Sequence, residues 1–345
     1  MKYQLFMKKV CNLSDAFFYI LCSGLTEKTR EKFTCYNSSF TECVRKHLPV
    51  HSFLTSNLPE CTDQNYALQT PCQYTRPGVT LQSGQNTFRY IECRGCSANK
   101  GGVIYLTGSS TSLTMSDCLF YRCSSTTGDG GAIYGNNCGL VSLQRSSLLE
   151  CTCTTNGNGG GISVYGTSIL PEITANTFIS CSGRADAGGL IIYHTTGGTN
   201  AANLPVKDCR FISCVAYGTI SNNNNDADCG GLEYWENEHT LGIHNSIFTK
   251  CESKQRGGGC GVTINSYYFD QIIRFCFFSE NTAPSGRNAI IPFNGSSSNL
   301  WSIVFYHSYT CDGDLDNSLL QNYPNIVPVN GAWLSYGVLS FLIEA

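Results

Sequence analysis

The sequence predicts an all-β chain, a parallel β-helix in which a unit of about thirty residues winds repeatedly upon itself. Three observations carry this: a motif repeated in fixed register, period-two alternation of apolar residues, and glycine pairs punctuating every unit. The motif is an aromatic residue or Leu followed three residues later by Cys. It recurs as Phe120/Cys123, Leu148/Cys151, Phe178/Cys181, Phe211/Cys214 and Phe248/Cys251. Tyr90/Cys93 opens the series, and Phe278/Asn281 continues it with Asn in place of Cys. First members lie 30, 28, 30, 33, 37 and 30 residues apart. A glycine pair follows the motif at Gly101-Gly102, Gly130-Gly131, Gly160-Gly161, Gly188-Gly189, Gly230-Gly231 and Gly258-Gly259. An apolar residue precedes the aromatic by five positions at Met115, Leu143, Ile173, Val206, Ile243 and Ile273. Glycine-rich units of this length cannot sustain amphipathic helices of period 3.6, so each unit reads as one coil of about three short strands. One coil cannot bury its own apolar face, so coils must stack at ~4.8 Å with like residues above like. The count is about seven to eight coils.

The coils span residues 79–312. Residues 1–78 lack the columns and carry Pro49, Pro59, Pro71 and Pro77, which suits an irregular cap over the first coil. Cys35, Cys43, Cys61 and Cys72 could staple it. Residues 313–345 lose the pattern and are expected to form a second cap, a tail or the start of an anchor.

Composition narrows the function. The chain has 345 residues with 22 Lys+Arg against 25 Asp+Glu, a net charge of −3. Such a balance gives no electrostatic reason to hold nucleic acid or an anionic membrane. No apolar run reaches the length of a transmembrane helix, so membrane association would need an anchor beyond this chain. The 21 cysteines are many for a reducing compartment. They favour an extracellular or cell-surface location, to which the sequons at Asn12, Asn37 and Asn294 add little because such tripeptides are common by chance.

The stretch after each glycine pair sets the side-chain directions. Aligned on the pairs, it reads Val-Ile-Tyr (103–105), Ala-Ile-Tyr (132–134), Ile-Ser-Val (162–164), Leu-Ile-Ile (190–192) and Leu-Glu-Tyr (232–234). The middle position holds Ser163 and Glu233, so it is expected to face water, with the first and third positions interior. On that alignment Ile104, Ile133, Ile191 and Ile290 point outward. The next outward position gives Leu106, Gly135, Tyr165, Tyr193 and Trp235. Tyr165, Tyr193 and Trp235, flanked by Ile133 and Ile191, then form the candidate binding stripe.

Cys93, Cys123, Cys151, Cys181, Cys214 and Cys251 are expected to stack as a structural ladder. Neighbours at ~4.8 Å fall within disulfide range, but Cys can equally fill a corner as a small buried thiol. No metal is expected: Cys93-Arg-Gly-Cys96 has no second pair at zinc-ribbon spacing, and His239 and His244 flank a strand. No cofactor is expected either. No nucleophile elbow, zinc-protease helix or phosphate-binding glycine loop occurs. The one acidic cluster, Asp226, Asp228, Glu233, Glu236 and Glu238, lies in or beside an inserted Asn-rich loop.

These motifs resemble the polymorphic outer membrane protein repeat, Phe-x-x-Asn with Gly-Gly-Ala-Ile. Gly130-Gly131-Ala132-Ile133-Tyr134 matches the second half, and Phe278-x-x-Asn281 matches the first. Cys replaces Asn elsewhere, as in Cys-rich repeat families of trichomonad-like protists. The resemblance implies a right-handed, pectate-lyase-like helix at a cell surface with an adhesive role. The expected function is therefore non-catalytic binding of a protein or glycan at a cell surface. The alternatives are a polysaccharide-acting enzyme of the pectate-lyase type and a structural spacer in a longer membrane-anchored protein.

Overall fold

A computed structural model describes residues 72–154, 157–194, 205–218, 229–236, 242–254, 257–264, 271–274, 276–284, 290–294, 303–306 and 309–310, with 34–35, 38–39 and Glu60. The expected caps at 1–78 and 313–345 and the acidic loop around Asp226 fall largely or wholly outside these residues. The described part is all-β without helix: from Cys72 onward its strands pair in parallel as a β-solenoid, while Thr34–Cys35 and Ser38–Ser39 form a separate antiparallel pair. One coil shows the plan: Ile133–Cys138, Val141–Gln144, Ser147–Leu149 and Thr152–Cys153. Each segment belongs to its own sheet, called here sheets 1 to 4 in that order, with eight, eight, nine and six strands. Every strand of these four sheets pairs with its equivalent one coil away, for instance Phe120 with Leu148, Phe178 with Phe211 and Phe211 with Phe248.

The corners are made by residues that sequence reading did not single out. Arg122, Glu150, Ser180, Ser213, Lys250 and Glu280 all have φ between 52° and 55°. Asp117, Arg145, Ala175, Asp208 and Asn245 form a second column with φ from 45° to 57°. The left-handed region costs a non-glycine residue about 1–2 kcal/mol, so each bend needs compensation. The residue after each bend supplies it. Cys123, Cys151, Cys181, Cys214 and Cys251 follow the first column, and Cys118, Ser146, Asn176, Cys209 and Ser246 follow the second, all buried.

The centre is a stack of apolar columns. Phe178, Phe211, Phe248 and Phe278 lie nearly parallel, with centroids 4.7, 4.8 and 4.9 Å apart. Those separations equal the strand spacing of a sheet, so the backbone ladder sets the ring stacking. Leu113, Met115, Leu143, Ile173, Val206 and Ile243 complete the interior from sheet 2.

Glycine anchors a third column by close approach. A Cβ on Gly102, Gly131, Gly160, Gly188 or Gly230 would meet the carbonyl oxygen of Gly131, Gly160, Gly188, Gly230 or Gly258, respectively, at 2.0–2.4 Å. The residue before this column takes positive φ at Gly101, Gly130 and Gly159, but is Ala187 and Cys229 in later coils. The visible glycine pair therefore does not mark the same two positions in every coil. Aligning pairs shifts the register by one residue at Gly159-Gly160-Gly161.

That shift corrects several expectations. Ile133 pairs with Ile162 and Ile104, and Leu190 pairs with Ile162, so Ile104 and Ile133 point inward and are buried. Ile290 occupies the same column. Leu106 and Gly135 also fall in an inward column, with Val164 and Ile192. Tyr105 and Tyr134, expected inside, share the outward column of Ser163, Ile191 and Glu233. Ser163, Ile191 and Glu233 keep this register but are buried, so the middle position does not face water as expected.

Gly188→Ala is expected to destabilise the protein by about 3 kcal/mol, because the new Cβ strikes backbone. Gly95→Ala, where φ is +60° and nothing lies within 4 Å, should cost only about 1 kcal/mol. Paired urea melts check this; equal midpoints for the two variants would refute the close-approach argument.

Candidate functional site

Two features merit a functional reading, the corner ladder and the outer face of sheet 1. At the ladder, Phe120 pairs with Cys93, and Ser124 with Ser97. Cys93 thus stands in the aromatic column, and Cys96, preceded by the bend at Gly95, is the true ladder member. The motif Tyr90/Cys93 misled because Cys96 lies three residues beyond a residue that is itself Cys. The other five expected members, Cys123, Cys151, Cys181, Cys214 and Cys251, do follow one another, and Asn281 continues the column.

Each ladder thiol bonds to the preceding coil. Cys151, Cys181, Cys214 and Cys251 Sγ donate to the carbonyls of Phe120, Leu148, Phe178 and Phe211 at 3.6, 3.4, 3.6 and 3.4 Å. Backbone groups of Cys151, Cys181 and Cys214 bond in turn to the sulfurs of Cys181, Cys214 and Cys251. Asn281 does the same with an amide: Nδ2 donates to the Phe248 carbonyl at 3.0 Å, and Oδ1 accepts the Cys251 N–H at 2.9 Å. In the second corner column, Asn176 Nδ2 reaches the Leu143 carbonyl at 2.7 Å, and Cys209 Sγ reaches that of Ile173 at 3.2 Å. Cys and Asn are interchangeable here because both present a donor and an acceptor to the same two backbone groups.

Fourteen described cysteines are buried thiols outside any disulfide, while Cys72 is disulfide-bonded. Burial pushes the thiols of Cys118, Cys209 and Cys276 up to about 12. Burial likewise raises Cys151, Cys181 and Cys251. Neutral, enclosed thiols such as these six are poor nucleophiles, whereas hydrogen bonds from neighbouring ladder cysteines lower Cys96 and, despite burial, Cys214. Among the described residues, no three His, Cys, Asp or Glu side chains converge as a metal-ligand group.

On sheet 1, Tyr105 stacks on Tyr134 at 5.2 Å, Tyr134 meets Tyr165 edge-on at 6.0 Å, and Tyr165 lies 5.9 Å from Tyr193. The row jogs by two residues between Tyr134 and Tyr165, because Asn136 holds the register position of Tyr165. Trp235 follows Tyr193 in register, although its side chain lies outside the described residues. Residues at the end of the preceding loop hold the row. Lys100 Nζ sits 5.5 Å from the Tyr105 ring, and Asn158 Nδ2 is 2.6 Å from the Tyr165 hydroxyl. Asp129 accepts the Asn158 N–H at 2.8 Å, and its charge, after burial, raises the Tyr134 phenol. Burial, followed by the charges of Asp129, Asp186 and Glu233, raises the Tyr165 phenol, so it stays protonated. Tyr105, Tyr165 and Tyr193 remain partly exposed, and Tyr134 is nearly buried. Sequence reasoning found the second half of this row and missed Tyr105 and Tyr134 through the one-residue shift.

No family model, curated protein or solved structure matches the chain.

Two outcomes are expected at the ladder. Cys251→Asn should stay within about 1 kcal/mol of wild type, while Cys251→Val should lose about 1–3 kcal/mol by leaving two buried backbone groups without partners. Thermal melts of both decide this, and a Val variant as stable as the Asn variant would refute the surrogate role. The raised thiols also fix a pH dependence. Their folded values lie above the ordinary value of about 8.5, so their contribution is complete below that pH. It declines as pH rises above it, since the unfolded chain then releases protons that the folded chain keeps. The melting temperature should fall from about pH 8.5 upward, beyond the fall caused by exposed groups, and a variant with Cys118, Cys209 and Cys276 replaced by Ser should show a smaller fall.

Proposed function

We propose that this protein is a non-catalytic interaction protein, displayed at a cell surface or secreted, that binds a protein or glycan through the outer face of sheet 1. One observation carries the reading: Tyr105, Tyr134, Tyr165 and Tyr193 form a continuous row of contacting rings on one sheet face. Aromatic rings with polar tips supply large contact areas at low conformational cost, and they are enriched where proteins meet partners. The neighbouring Lys100 and Asn158 pin Tyr105 and Tyr165, so little ordering entropy remains to be lost on binding. The cysteine usage and the likeness of the repeat to surface β-helix proteins support the location and an adhesive role. The carboxylate of Asp129 accepts the Asn158 backbone N–H, an arrangement that suits a fixed binding face better than acid–base chemistry.

Tyr105→Ala with Tyr193→Ala is expected to weaken attachment at least tenfold in cell-binding and glycan-array assays of the purified protein. The melting temperature should fall by no more than about 1 kcal/mol's equivalent. Unchanged attachment by a stably folded double variant would remove sheet 1 as the binding face. Turnover of a polysaccharide by the wild-type protein would instead favour the enzyme reading.

A further inference from the structure

The outer face of sheet 3 carries a different pattern. Its outward column runs Tyr121, Leu149, Ile179, Ile212, Thr249 and Ser279 over six successive strands. The first four are partly exposed apolar side chains, stacked one above another. Beside them runs the corner column Arg122, Glu150, Ser180, Ser213, Lys250 and Glu280. The Arg122 guanidinium lies 4.9 Å from the Tyr121 ring, so the two columns share one surface.

The order of charges along the corner column is positive, negative, two neutral, positive, negative. Read backwards it is negative, positive, two neutral, negative, positive. Each position is therefore matched by its opposite when the column is laid against an inverted copy of itself. We propose that sheet 3 is the interface of an antiparallel dimer of this chain. The two-fold axis runs along the strand direction, between Ile179 and Ile212.

In that arrangement Arg122 faces the partner's Glu280, and Glu150 faces the partner's Lys250. Ser180 faces the partner's Ser213, and Ile179 packs on the partner's Ile212. Symmetry repeats every contact, giving four interchain ion pairs around an apolar centre, the self-complementary pattern of an isologous interface. A slip of one strand in either direction is penalised. One slip sets Arg122 against the partner's Lys250, and the other sets Glu150 against the partner's Glu280. Like charges so placed give register specificity.

The four charges are available for this. Arg122 and Glu150 pair within the chain at 2.7 Å with side chains 63% and 47% exposed. Lys250 and Glu280 lie 3.6 Å apart with side chains 52% and 60% exposed. Exposed pairs of this kind contribute little to folding, so they can be altered without unfolding the coil. Six strands give a face only about 24 Å tall, so the dimer is small, concentration-dependent and salt-sensitive. It uses a different sheet from the tyrosine row and would present two such rows at once.

Sedimentation velocity of the full chain over a concentration series, in reductant, tests the proposal. Wild type is expected to shift from monomer to dimer, and the shift should weaken in high salt. Lys250→Glu alone sets two carboxylates against each other at both equivalent contacts. Glu150→Lys alone does the same with two ammonium groups. Each variant should dimerise at least tenfold more weakly, with an unchanged circular dichroism spectrum and melting temperature. Mixing the two variants creates a fully complementary pair, so the mixture should recover wild-type association as a heterodimer. A wild type that stays monomeric throughout overturns the proposal. So does a dimer that both variants leave intact, or a mixture that associates no better than either variant alone.

Discussion

Backbone hydrogen bonds between coils hold every residue about 4.8 Å from its counterpart, and that spacing governs everything the side chains do. It explains why the phenylalanine rings lie nearly parallel with centroids 4.7–4.9 Å apart, one ring per coil. It explains why Gly131 and Gly160 tolerate no Cβ, since the neighbouring coil's backbone already fills that place. It also turns single residues into columns. A side chain acts with its copies above and below, so chemistry on the surface of this protein comes in rows.

The corners show how the sequence meets this constraint without glycine. A bend at positive φ is strained for Arg122 or Lys250, and the strain recurs in every coil. What offsets it is the residue that follows, which enters the interior and ties the bend to the coil before it. A thiol or an amide serves equally, because the requirement is one donor for a carbonyl and one acceptor for an N–H. The cysteines need no oxidation to fulfil it, and burial raises the thiols of Cys151, Cys181 and Cys251.

Much of this was legible in the sequence. The Phe-x-x-Cys column, the apolar column five residues earlier and the glycine column all predicted stacked parallel coils, and they are found stacked. What could not be read was the register within a glycine run. Gly159-Gly160-Gly161 contains one residue at positive φ, one in close backbone contact and one packed against Phe178, and sequence does not distinguish the three. A one-residue error there exchanges inside for outside, which is why Ile133 was assigned to the surface and Tyr134 to the core. Cys93 was misplaced for a similar reason, since the first aromatic-column position is itself filled by Cys. The left-handed corners were invisible, because Arg, Glu, Ser and Lys carry no signature of that conformation. The outward register of Tyr165 and Tyr193 was legible because it counts forward from Ile162 and Leu190, past the ambiguity.

The spacing between columns has a further meaning. From the sheet 2 column to the aromatic is five residues in every coil, as in Leu143 to Leu148 or Val206 to Phe211. From the aromatic to the inward residue of sheet 4 is five again, as in Phe120 to Ser125 or Phe248 to Ser253. All the variation in repeat length therefore falls at the two junctions bordering sheet 1, for example between Ala216 and Cys229 or between His194 and Val206. One half of each coil is a fixed-length clamp, and the other is bracketed by segments whose length is free to change. New material grafted into this scaffold would emerge along both borders of the tyrosine row, leaving the clamp undisturbed.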